Sequence, residues 1–310
     1  MPTKFKVLAL FLILCLVVIV GLFLKNVYHQ DDSSDLSVQV HKYQELLKSI
    51  SESIRSAYGL PTIYNFTSKQ RFEEITGILI QQRNDASREV NKLKRLMGQI
   101  QCQTIAEEGT KTSHTGGWCR QESKEDSGKH WTDKDLAKAL AELFKGKSVA
   151  SFGDGPGRYK QLIEGAGKGV IYDAYDGAPF CEETSEGRVK FMDLTLPQFG
   201  LPMYDWVISL EVAEHIPKQF EGVYLDNINR HAREGVVLSW AVPGQGGYGH
   251  VNERFFDYVV KIMEKNELYF DREQSQVLQK AATVKWLKDN VNVYVRRNRT
   301  RSDNLDKLLV

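Results

Sequence analysis

The sequence predicts an α/β domain built on a mostly parallel, seven-stranded sheet with helices on both faces. Two observations predict it. Short, continuously apolar segments alternate with helix-forming segments, which is typical of parallel strands buried on both faces. A glycine-rich turn joins the first apolar segment to a helix, as in doubly wound sheets. The 310 residues, 42% of them hydrophobic and 26% charged, leave room for further parts before this domain.

The alternation begins with a helix that runs to Leu143. Either Thr132 or Asp133 can cap its N-terminus. The pair Asp133 and Asp135 has a spacing found in metal–nucleotide sites, but capping and the helix dipole explain two acids at a helix start better. The predicted strands are Ser148–Phe152, Gly169–Tyr175, Val189–Met192, Trp206–Leu210, Gly235–Trp240, Leu268–Phe270 and Val291–Val295. The other predicted helices are Tyr159–Ile163, Glu221–Arg233, Glu253–Lys265 and Val277–Lys288.

Residues 7–24 form an uncharged apolar run of the length that spans a bilayer. A cleaved signal peptide is the alternative, but no small-residue cleavage site follows the run. Basic residues precede it and acidic residues follow at 31–35, so residues 1–6 should stay in the cytoplasm. The sequence therefore predicts a signal anchor, in a single-pass type II membrane protein of the endoplasmic reticulum or Golgi with a lumenal C-terminal domain.

A lumenal location has two consequences for modification. The acceptor sequons at Asn65 and Asn298 would face the glycosylating compartment, which predicts a glycoprotein. In an oxidising lumen, Cys102 and Cys119 could form a disulfide and leave Cys181 without a partner.

Residues 25–110 are predicted to be a helical stalk. Apolar residues recur there in steps of three and four, the pattern of a coiled-coil seam, with a break at Gly59-Leu60-Pro61. The stalk could pair with a second copy to form a homo-oligomer, or the helix could pack on the following domain. Charged residues dominate its other faces, which favours the stalk. The seam residues are Val40, Tyr43, Leu47, Ile50, Ile54, Ala57, Phe72, Ile75, Leu79, Val90, Leu93, Met97 and Ile100.

The polar, glycine-rich segment from Ile100 to His130 reads as a loop leading into the domain, which we bound at residues 111–297, with a tail at 298–310. Trp118 is unusual in such a loop. It could cover a bound ligand, but an ordinary packing role is favoured.

The glycine turn follows the first predicted strand and places Gly153, Gly155 and Gly157 at alternate positions, with Asp154 between the first two. Strand, glycine turn and helix bring a ligand close to bare backbone at a helix N-terminus. A Cβ there would block the ligand or forbid the turn. By itself the pattern is weak, because a plain turn has the same composition.

Polar residues also follow the next strands. Asp176 lies about 20 residues beyond the glycines, the position of an acid that binds ribose hydroxyls. Asp193, followed by Leu194, could accept a hydrogen bond from an exocyclic amine. Two further strand ends carry the segments 209–217 and 242–252, which contain Glu211, Glu214, His215, His250 and Asn252. In a parallel sheet these ends meet at the edge where ligands bind.

These motifs give residues 147–296 a resemblance to class I S-adenosylmethionine-dependent methyltransferases, whose sheet is Rossmann-like. Residues 153–157 are similar to the first motif of that superfamily in its Gly-x-Gly-x-Gly form. Residues 209–217 resemble its fourth motif, often Leu-Glu-x-x-Glu-His-x-Pro. The anchor, the stalk and the Gly-Gly-Trp-Cys loop look similar to the membrane-anchored group of methyltransferase-like proteins.

The resemblance implies S-adenosylmethionine as the cofactor. Asp176 falls at the ribose-binding acid and Asp193 at the adenine-side acid. One position departs from the family: Ser151 stands where an acid usually helps to hold the methionine end. A dinucleotide site fits less well, because Gly-x-Gly-x-x-Gly would need glycine where Arg158 stands. The predicted cofactor-binding residues are Gly153, Asp154, Gly155, Gly157, Asp176, Asp193, Leu194 and Glu211.

Methyl transfer by direct displacement needs alignment, and it needs a base only when the nucleophile arrives protonated. His215 and His250 are the predicted catalytic bases, although His215 could simply hydrogen-bond within its turn. Asn252 could position substrate, but capping of the next helix is favoured. Glu211, Glu214 and His215 could together bind a divalent ion. No metal is predicted, since metal-free relatives of the family carry the same residues.

The predicted function is therefore methyl transfer to an unidentified O- or N-nucleophile by a membrane-anchored lumenal domain. A lumenal glycosyltransferase shares this layout, but a convincing Asp-x-Asp at a strand end is missing. A non-catalytic scaffold is the other alternative, with Ser151 marking a degenerate site. A net charge of +1 and the lack of a basic groove argue against a nucleic-acid partner.

Overall fold

The computed structural model describes residues 69–105, 112–113, 117–119 and 131–297. The predicted anchor at 7–24, the N-terminal part of the predicted stalk, both sequons and the tail at 298–310 lie outside these residues. In the described part, none of the helices has the length and hydropathy needed to cross a membrane. The chain divides into units at residues 1–76 and 77–310, and the second unit holds the whole sheet.

The sheet has seven strands in the order β3-β2-β1-β4-β5-β7-β6. Strands β1 to β5 run parallel, and β7 is antiparallel to both β5 and β6. This confirms the predicted seven-stranded, mostly parallel α/β architecture. The strands are β1 Ser148–Phe152, β2 Ile171–Asp176, β3 Val189–Phe191, β4 Tyr204–Ser209, β5 Ala232–Leu238, β6 Leu268–Asp271 and β7 Asn292–Arg296.

Eight α-helices lie within the described residues. They are α1 Lys69–Ile105, α2 Lys134–Leu143, α3 Arg158–Gly165, α4 Cys181–Thr184, α5 Glu221–His231, α6 Phe256–Lys265, α7 Arg272–Ala281 and α8 Lys285–Asn290. Two single-turn 3₁₀ helices, Ala213–His215 and Lys218–Phe220, follow β4.

The central strands are buried on both faces. Val149 and Ile208 belong to one hydrophobic cluster, whereas their sequence neighbours Ala150 and Val207 belong to the cluster on the other face. Because successive side chains of a strand point to opposite faces, an apolar run such as that of β1 fits only a sheet covered on both sides. The order of strands reverses beside β1, between β2 and β4, and their carboxyl ends form the edge described below.

Asp133, one of the two predicted capping residues, caps α2, and it also interrupts a predicted helix. Its Oδ1 accepts from Leu136 N at 3.0 Å, and its Oδ2 accepts from the amides of Thr283 and Val284 at 2.5 and 2.7 Å. Burial raises the pKa of Asp133, but these backbone hydrogen bonds outweigh it and leave the pKa below its usual value. The chain is pinned at residues 283–284, so the helix predicted over 277–288 is wrong, and α7 and α8 form instead.

Among the other boundaries that differ from the prediction, two lie where long-range contacts override local preference. Strand β5 begins at Ala232, directly after α5, since Ala232 pairs with Tyr204 of β4. Helix α6 begins at Phe256 rather than Glu253. The prediction that Asn252 caps it is wrong: its side chain donates to Glu221 Oε2 at 3.0 Å, and its carbonyl accepts from Trp240 Nε1 at 2.6 Å.

From Asn84 onward, helix α1 lies against the turns that follow β2 and β3. Asn91 Nδ2 donates to Gln198 Oε1 at 2.6 Å, and Gln99 Nε2 donates to the carbonyl of Pro179 at 3.0 Å. Arg95 forms ion pairs with Glu182 and Glu183. This part of the helix therefore packs on the domain. The sequence analysis gave that arrangement as the alternative to a free-standing stalk.

The predicted disulfide between Cys102 and Cys119 is present, and Cys181 is a buried free thiol. The disulfide joins the end of α1 to the segment at 117–119. It fixes that segment close to the sheet edge.

Candidate functional site

The glycine turn between β1 and α3 is closed by its own backbone. The three glycines have φ angles of 97° at Gly153, 61° at Gly155 and 82° at Gly157, which side chains rarely allow. The amides of Gly153 and Asp154 both donate to the carbonyl of Tyr175, at 2.8 and 3.0 Å. The predicted need for glycine in forming the turn is thus confirmed.

The expectation that the missing side chains leave room for a ligand is wrong at two of these positions. A Cβ on Gly153 would overlap the side chain of Val212, and one on Gly157 would come within 2.9 Å of Val189. The protein's own residues fill that space.

Asp176, at the end of β2, reaches the glycine turn. Its Oδ2 accepts from Gly155 N at 2.8 Å, and its Oδ1 accepts from Ala178 N at 2.7 Å. A carboxylate has about four acceptor positions, so each oxygen keeps one for a further donor. Asp176 is partly exposed, and a ribose hydroxyl is a donor of the required kind.

Asp193, beyond β3, is buried with an incomplete set of partners. Its Oδ1 accepts from Thr195 N at 2.9 Å and from Thr195 Oγ1 at 2.6 Å, whereas its Oδ2 is buried and accepts no hydrogen bond. Lys94 Nζ is 4.0 Å from Oδ2. Asn91 of α1 accepts from the Asp193 amide at 2.9 Å and so helps to orient the residue. A buried carboxylate oxygen without a hydrogen bond is unfavourable, so a ligand that donates to Asp193 Oδ2 would be stabilised there.

The segment around Gly117 and Trp118 lies over this edge. Gly117 fits so tightly on Gly177, next to Asp176, that a Cβ on it would overlap the Gly177 carbonyl. Trp118 meets Tyr248, in the loop after β5, edge to face at 6.2 Å between ring centroids. Together with the disulfide at Cys119, these contacts place Trp118 where a cover for a ligand would lie, and they also give it a packing role.

Glu211, directly after β4, is held by three elements. Its φ is +55°, uncommon for a residue with a side chain. Ser239 Oγ and Asn290 Nδ2 donate to its Oε1 at 2.8 and 3.0 Å, and Gln245 Nε2 donates to its Oε2 at 3.2 Å. Burial raises the pKa of Glu211, and these three hydrogen bonds oppose the rise.

Glu214 and the two histidines meet at the ends of β4 and β5. Glu214 is fully buried, and burial, followed by the charge of Glu211, raises its pKa well above the usual value. His215 Nδ1 lies 3.2 Å from the carbonyl of Gly249, and His250 Nδ1 lies 3.0 Å from Glu253 Oε1. Burial and the neighbouring His250 lower the pKa of His215 to about 4.

Two predicted cofactor residues have their side chains engaged inside the protein. Asp154 is buried and accepts from the Tyr172 hydroxyl at 3.0 Å. Burial raises the pKa of Asp154 to about 6 against hydrogen bonds from Ser151 and Tyr172. Leu194 is a core residue, 4% exposed, in one of the two hydrophobic clusters.

Several supporting residues escaped the sequence analysis. Asn91 orients Asp193, Glu253 holds His250, and Ser239 and Asn290 hold Glu211. Asn290 is 79 residues from Glu211, and no spacing rule connects them. Glu253 lies three residues after His250, and that proximity was the one available signal.

No protein-family model matches the chain, and no curated protein matches its sequence. Solved structures similar to it include methyltransferases. The magnesium protoporphyrin IX methyltransferase ChlM of Synechocystis PCC 6803 with bound SAH is 17% identical, with a TM-score of 0.40 over 53% of this chain and 83% of that one. The putative methyltransferase complexed with the Haloferax volcanii Trm112 activator is 14% identical, with a TM-score of 0.43 over 58% and 95%. A TehB-like SAM-dependent methyltransferase from Corynebacterium glutamicum is 15% identical, with a TM-score of 0.38 over 53% and 88%.

Proposed function

We propose that this protein is an S-adenosylmethionine-dependent methyltransferase. The observation that carries the proposal is the buried Asp193 Oδ2, which accepts no hydrogen bond. It lies beyond β3, next to the strand whose end carries Asp176. The adenine amine of S-adenosylmethionine is a donor suited to Asp193, and the two ribose hydroxyls are donors suited to Asp176.

The remaining strand ends supply the other parts of the site. The open backbone of the glycine turn and the loop holding Glu211 are the groups proposed to contact the methionine end. When bound, S-adenosylmethionine supplies a methyl group already activated by its sulfonium. The chain's own contribution is to hold and align, and to exclude water beneath the segment with Trp118.

A protonated acceptor also needs a base, and His250 is the residue we propose. Glu253 accepts from its Nδ1 at 3.0 Å, which leaves Nε2 unprotonated and able to take a proton from an oxygen or nitrogen nucleophile. His215 is the second candidate. Its pKa of about 4 makes it a weaker base at neutral pH than an ordinary histidine.

We also propose that the domain is lumenal, behind a type II anchor at residues 7–24. The Cys102–Cys119 disulfide supports this, because such bonds persist in oxidising compartments. Replacing both Asn65 and Asn298 with Gln should abolish an endoglycosidase-sensitive mobility shift in cells. An unglycosylated wild-type chain would contradict the topology.

A homo-oligomer formed through α1 is proposed on the exposure of its heptad seam. Val90, Leu93 and Met97 are 43%, 58% and 56% exposed, although they are apolar. Apolar residues aligned on one helix face favour pairing with a second such face. A nucleic-acid partner is not proposed, and the acceptor remains an O- or N-nucleophile of unassigned class.

The test uses the full-length chain in detergent, because α1 supplies Asn91 to Asp193 and carries Cys102. S-adenosylmethionine and S-adenosylhomocysteine should each bind one per chain in calorimetry and raise the unfolding temperature. Absence of both effects at millimolar ligand would refute the proposal. Binding without turnover on acceptor mixtures, with turnover measured as the release of S-adenosylhomocysteine, would favour the non-catalytic scaffold.

A further inference from the structure

Glu214, His215 and His250 form a cluster with metal-ligand chemistry. Each offers one ligand atom, and the three atoms lie within 4.8 Å of one another. Glu214 Oε1 is 3.9 Å from His250 Nε2, and the two imidazole rings meet edge to face at 5.0 Å between centroids. No metal was predicted from the sequence, and the group considered there contained Glu211 in place of His250.

The carboxylate of Glu214 is the anomaly that points to a cation. Its side chain is 0% exposed, and its oxygens have contacts with the backbone amides of Glu214 and Ala241 that fall short of well-formed hydrogen bonds. Among the described residues, the basic group that comes within 4.0 Å of it is the imidazole of His250. A buried carboxyl group with such poor hydrogen bonding is costly as an anion, so it is either protonated or compensated by a positive ion.

Both histidines are held in the way that metal ligands usually are. A ligating imidazole commonly donates its other N–H to a carboxylate or a backbone carbonyl, which fixes the ring and leaves one nitrogen for the metal. Here Glu253 accepts from His250 Nδ1 at 3.0 Å, and the Gly249 carbonyl accepts from His215 Nδ1 at 3.2 Å. The Nε2 atoms of both histidines are therefore unprotonated, and each has a lone pair for a metal ion.

Gly247 packs directly on the imidazole of His250. A Cβ on Gly247 would overlap His250 Nε2 and its neighbouring ring carbons. Its φ lies outside the left-handed region, so the backbone conformation does not require glycine. A side chain at position 247 would therefore displace the ring of His250 from its present position.

We propose that Glu214, His215 and His250 bind a divalent transition-metal ion, of which Zn²⁺ and Mn²⁺ are the representatives. Two imidazole nitrogens and one carboxylate oxygen suit such ions better than Mg²⁺ or Ca²⁺, which prefer oxygen. Ligand bonds of about 2.1 Å at tetrahedral angles place ligand atoms about 3.4 Å apart, so the pair at 3.9 Å needs to close by about 0.5 Å. A pair at the 4.8 Å limit needs to close by about 1.4 Å, which side-chain rotation on metal binding would have to supply.

Metal binding at this cluster does not depend on methyl transfer. A further statement does rest on the proposed function: with three protein ligands, the ion keeps positions open for an acceptor. A bound hydroxyl would lose its proton more readily, which replaces the need for a histidine base.

The test measures binding alone, on the full-length chain stripped with chelator and without S-adenosylmethionine. Co²⁺ should give visible absorption bands that saturate at one ion per chain. Zn²⁺ should displace Co²⁺ and remain after dialysis at one ion per chain by elemental analysis. Because no cofactor is added, failure of the methyltransferase proposal would leave this result unchanged.

Four variants locate the site. Glu214→Gln and His250→Gln should each weaken Co²⁺ binding by about 100-fold or more, and Glu253→Gln by about 10- to 100-fold. Gly247→Ala should weaken it while keeping every ligand. Glu264→Gln, on an exposed position of α6, is the matched control and should bind as the wild type does.

Stability measurements guard against misfolding as the explanation. The metal-free Glu214→Gln variant should unfold at the same denaturant concentration as the metal-free wild type, or at a higher one, since it loses an unpaired buried carboxylate. Zn²⁺ should stabilise the wild type and leave the variant unchanged. The proposal is overturned if Co²⁺ fails to saturate at one ion per chain, or if the folded Glu214→Gln variant binds it like the wild type.

Discussion

Replacing Asp193 with Asn tests the proposed adenine contact at a single atom. The amide oxygen of Asn can keep both hydrogen bonds from Thr195, which now go to Oδ1. The amide nitrogen takes the place of Oδ2, the atom that accepts no hydrogen bond. A donor would then face the adenine amine, which is also a donor, so the contact would be lost.

The size of the effect follows from that one hydrogen bond. Hydrogen bonds to charged groups contribute about 1.5–3 kcal/mol, which corresponds to about a 10- to 150-fold loss of affinity. The unfolding free energy of the ligand-free protein should change by less than about 1 kcal/mol, because the variant removes a buried charge that has no partner on one oxygen.

Calorimetry with two ligands separates this contact from a general disturbance. The wild type should prefer S-adenosylhomocysteine over S-inosylhomocysteine, which has a carbonyl oxygen in place of the amine. Asp193→Asn should bind S-adenosylhomocysteine more weakly and lose that preference. Asp135→Asn, on an exposed position at the start of α2, serves as the control.

The reasoning fails if Asp193→Asn retains wild-type affinity for S-adenosylhomocysteine, or if it still discriminates between the two ligands. Either result would mean that Asp193 Oδ2 does not receive the amine. The buried acceptor would then need another explanation, such as closer approach of Lys94.

Three other predictions concern stability and assembly. Removing the disulfide with Cys102→Ser and Cys119→Ser, which are 17 residues apart, should lower the unfolding free energy by about 3 kcal/mol in urea titrations; an unchanged midpoint would contradict this. Burial, together with the charges of Arg230 and Arg83, lowers the pKa of His231 to about 4, so the native state resists protonation of this histidine. Its contribution to the unfolding free energy is therefore fully present above about pH 6.5 and is lost as the pH falls towards 4. That loss amounts to about 3 kcal/mol. His231→Leu should make the unfolding free energy depend less on pH between 6.5 and 4 in urea titrations, and a variant with the same slope as the wild type would contradict this role of His231. Leu93→Glu with Met97→Glu should convert an oligomeric chain to a monomer in light scattering, and a monomeric wild type would rule out pairing through α1.

Local features were predictable because their causes lie within a few residues. The continuous apolar character of β1 indicated a strand buried on both faces. The carboxylate of Asp133 identified the start of α2 by capping the amide three residues on. The glycines of the turn were correctly read as a backbone requirement.

The same patterns failed wherever a distant residue decided the outcome. The helix predicted over 277–288 breaks because Asp133, about 150 residues earlier, takes the amides at 283–284. The space beside Gly153 is filled by Val212 from another loop. Sequence periodicity contains no information on either contact.

By itself, the sequence determined the α/β class and the positions of the polar residues that follow the strands, since hydrophobic periodicity and turn chemistry act locally. It offered the pairing of Cys102 with Cys119 as a possibility. Only the tertiary structure decided that α1 packs on the domain, that Asp193 keeps an open acceptor and that Glu214 is buried between two histidines. Those facts depend on which side chains meet across the edge of the sheet and on how completely each polar atom is satisfied there.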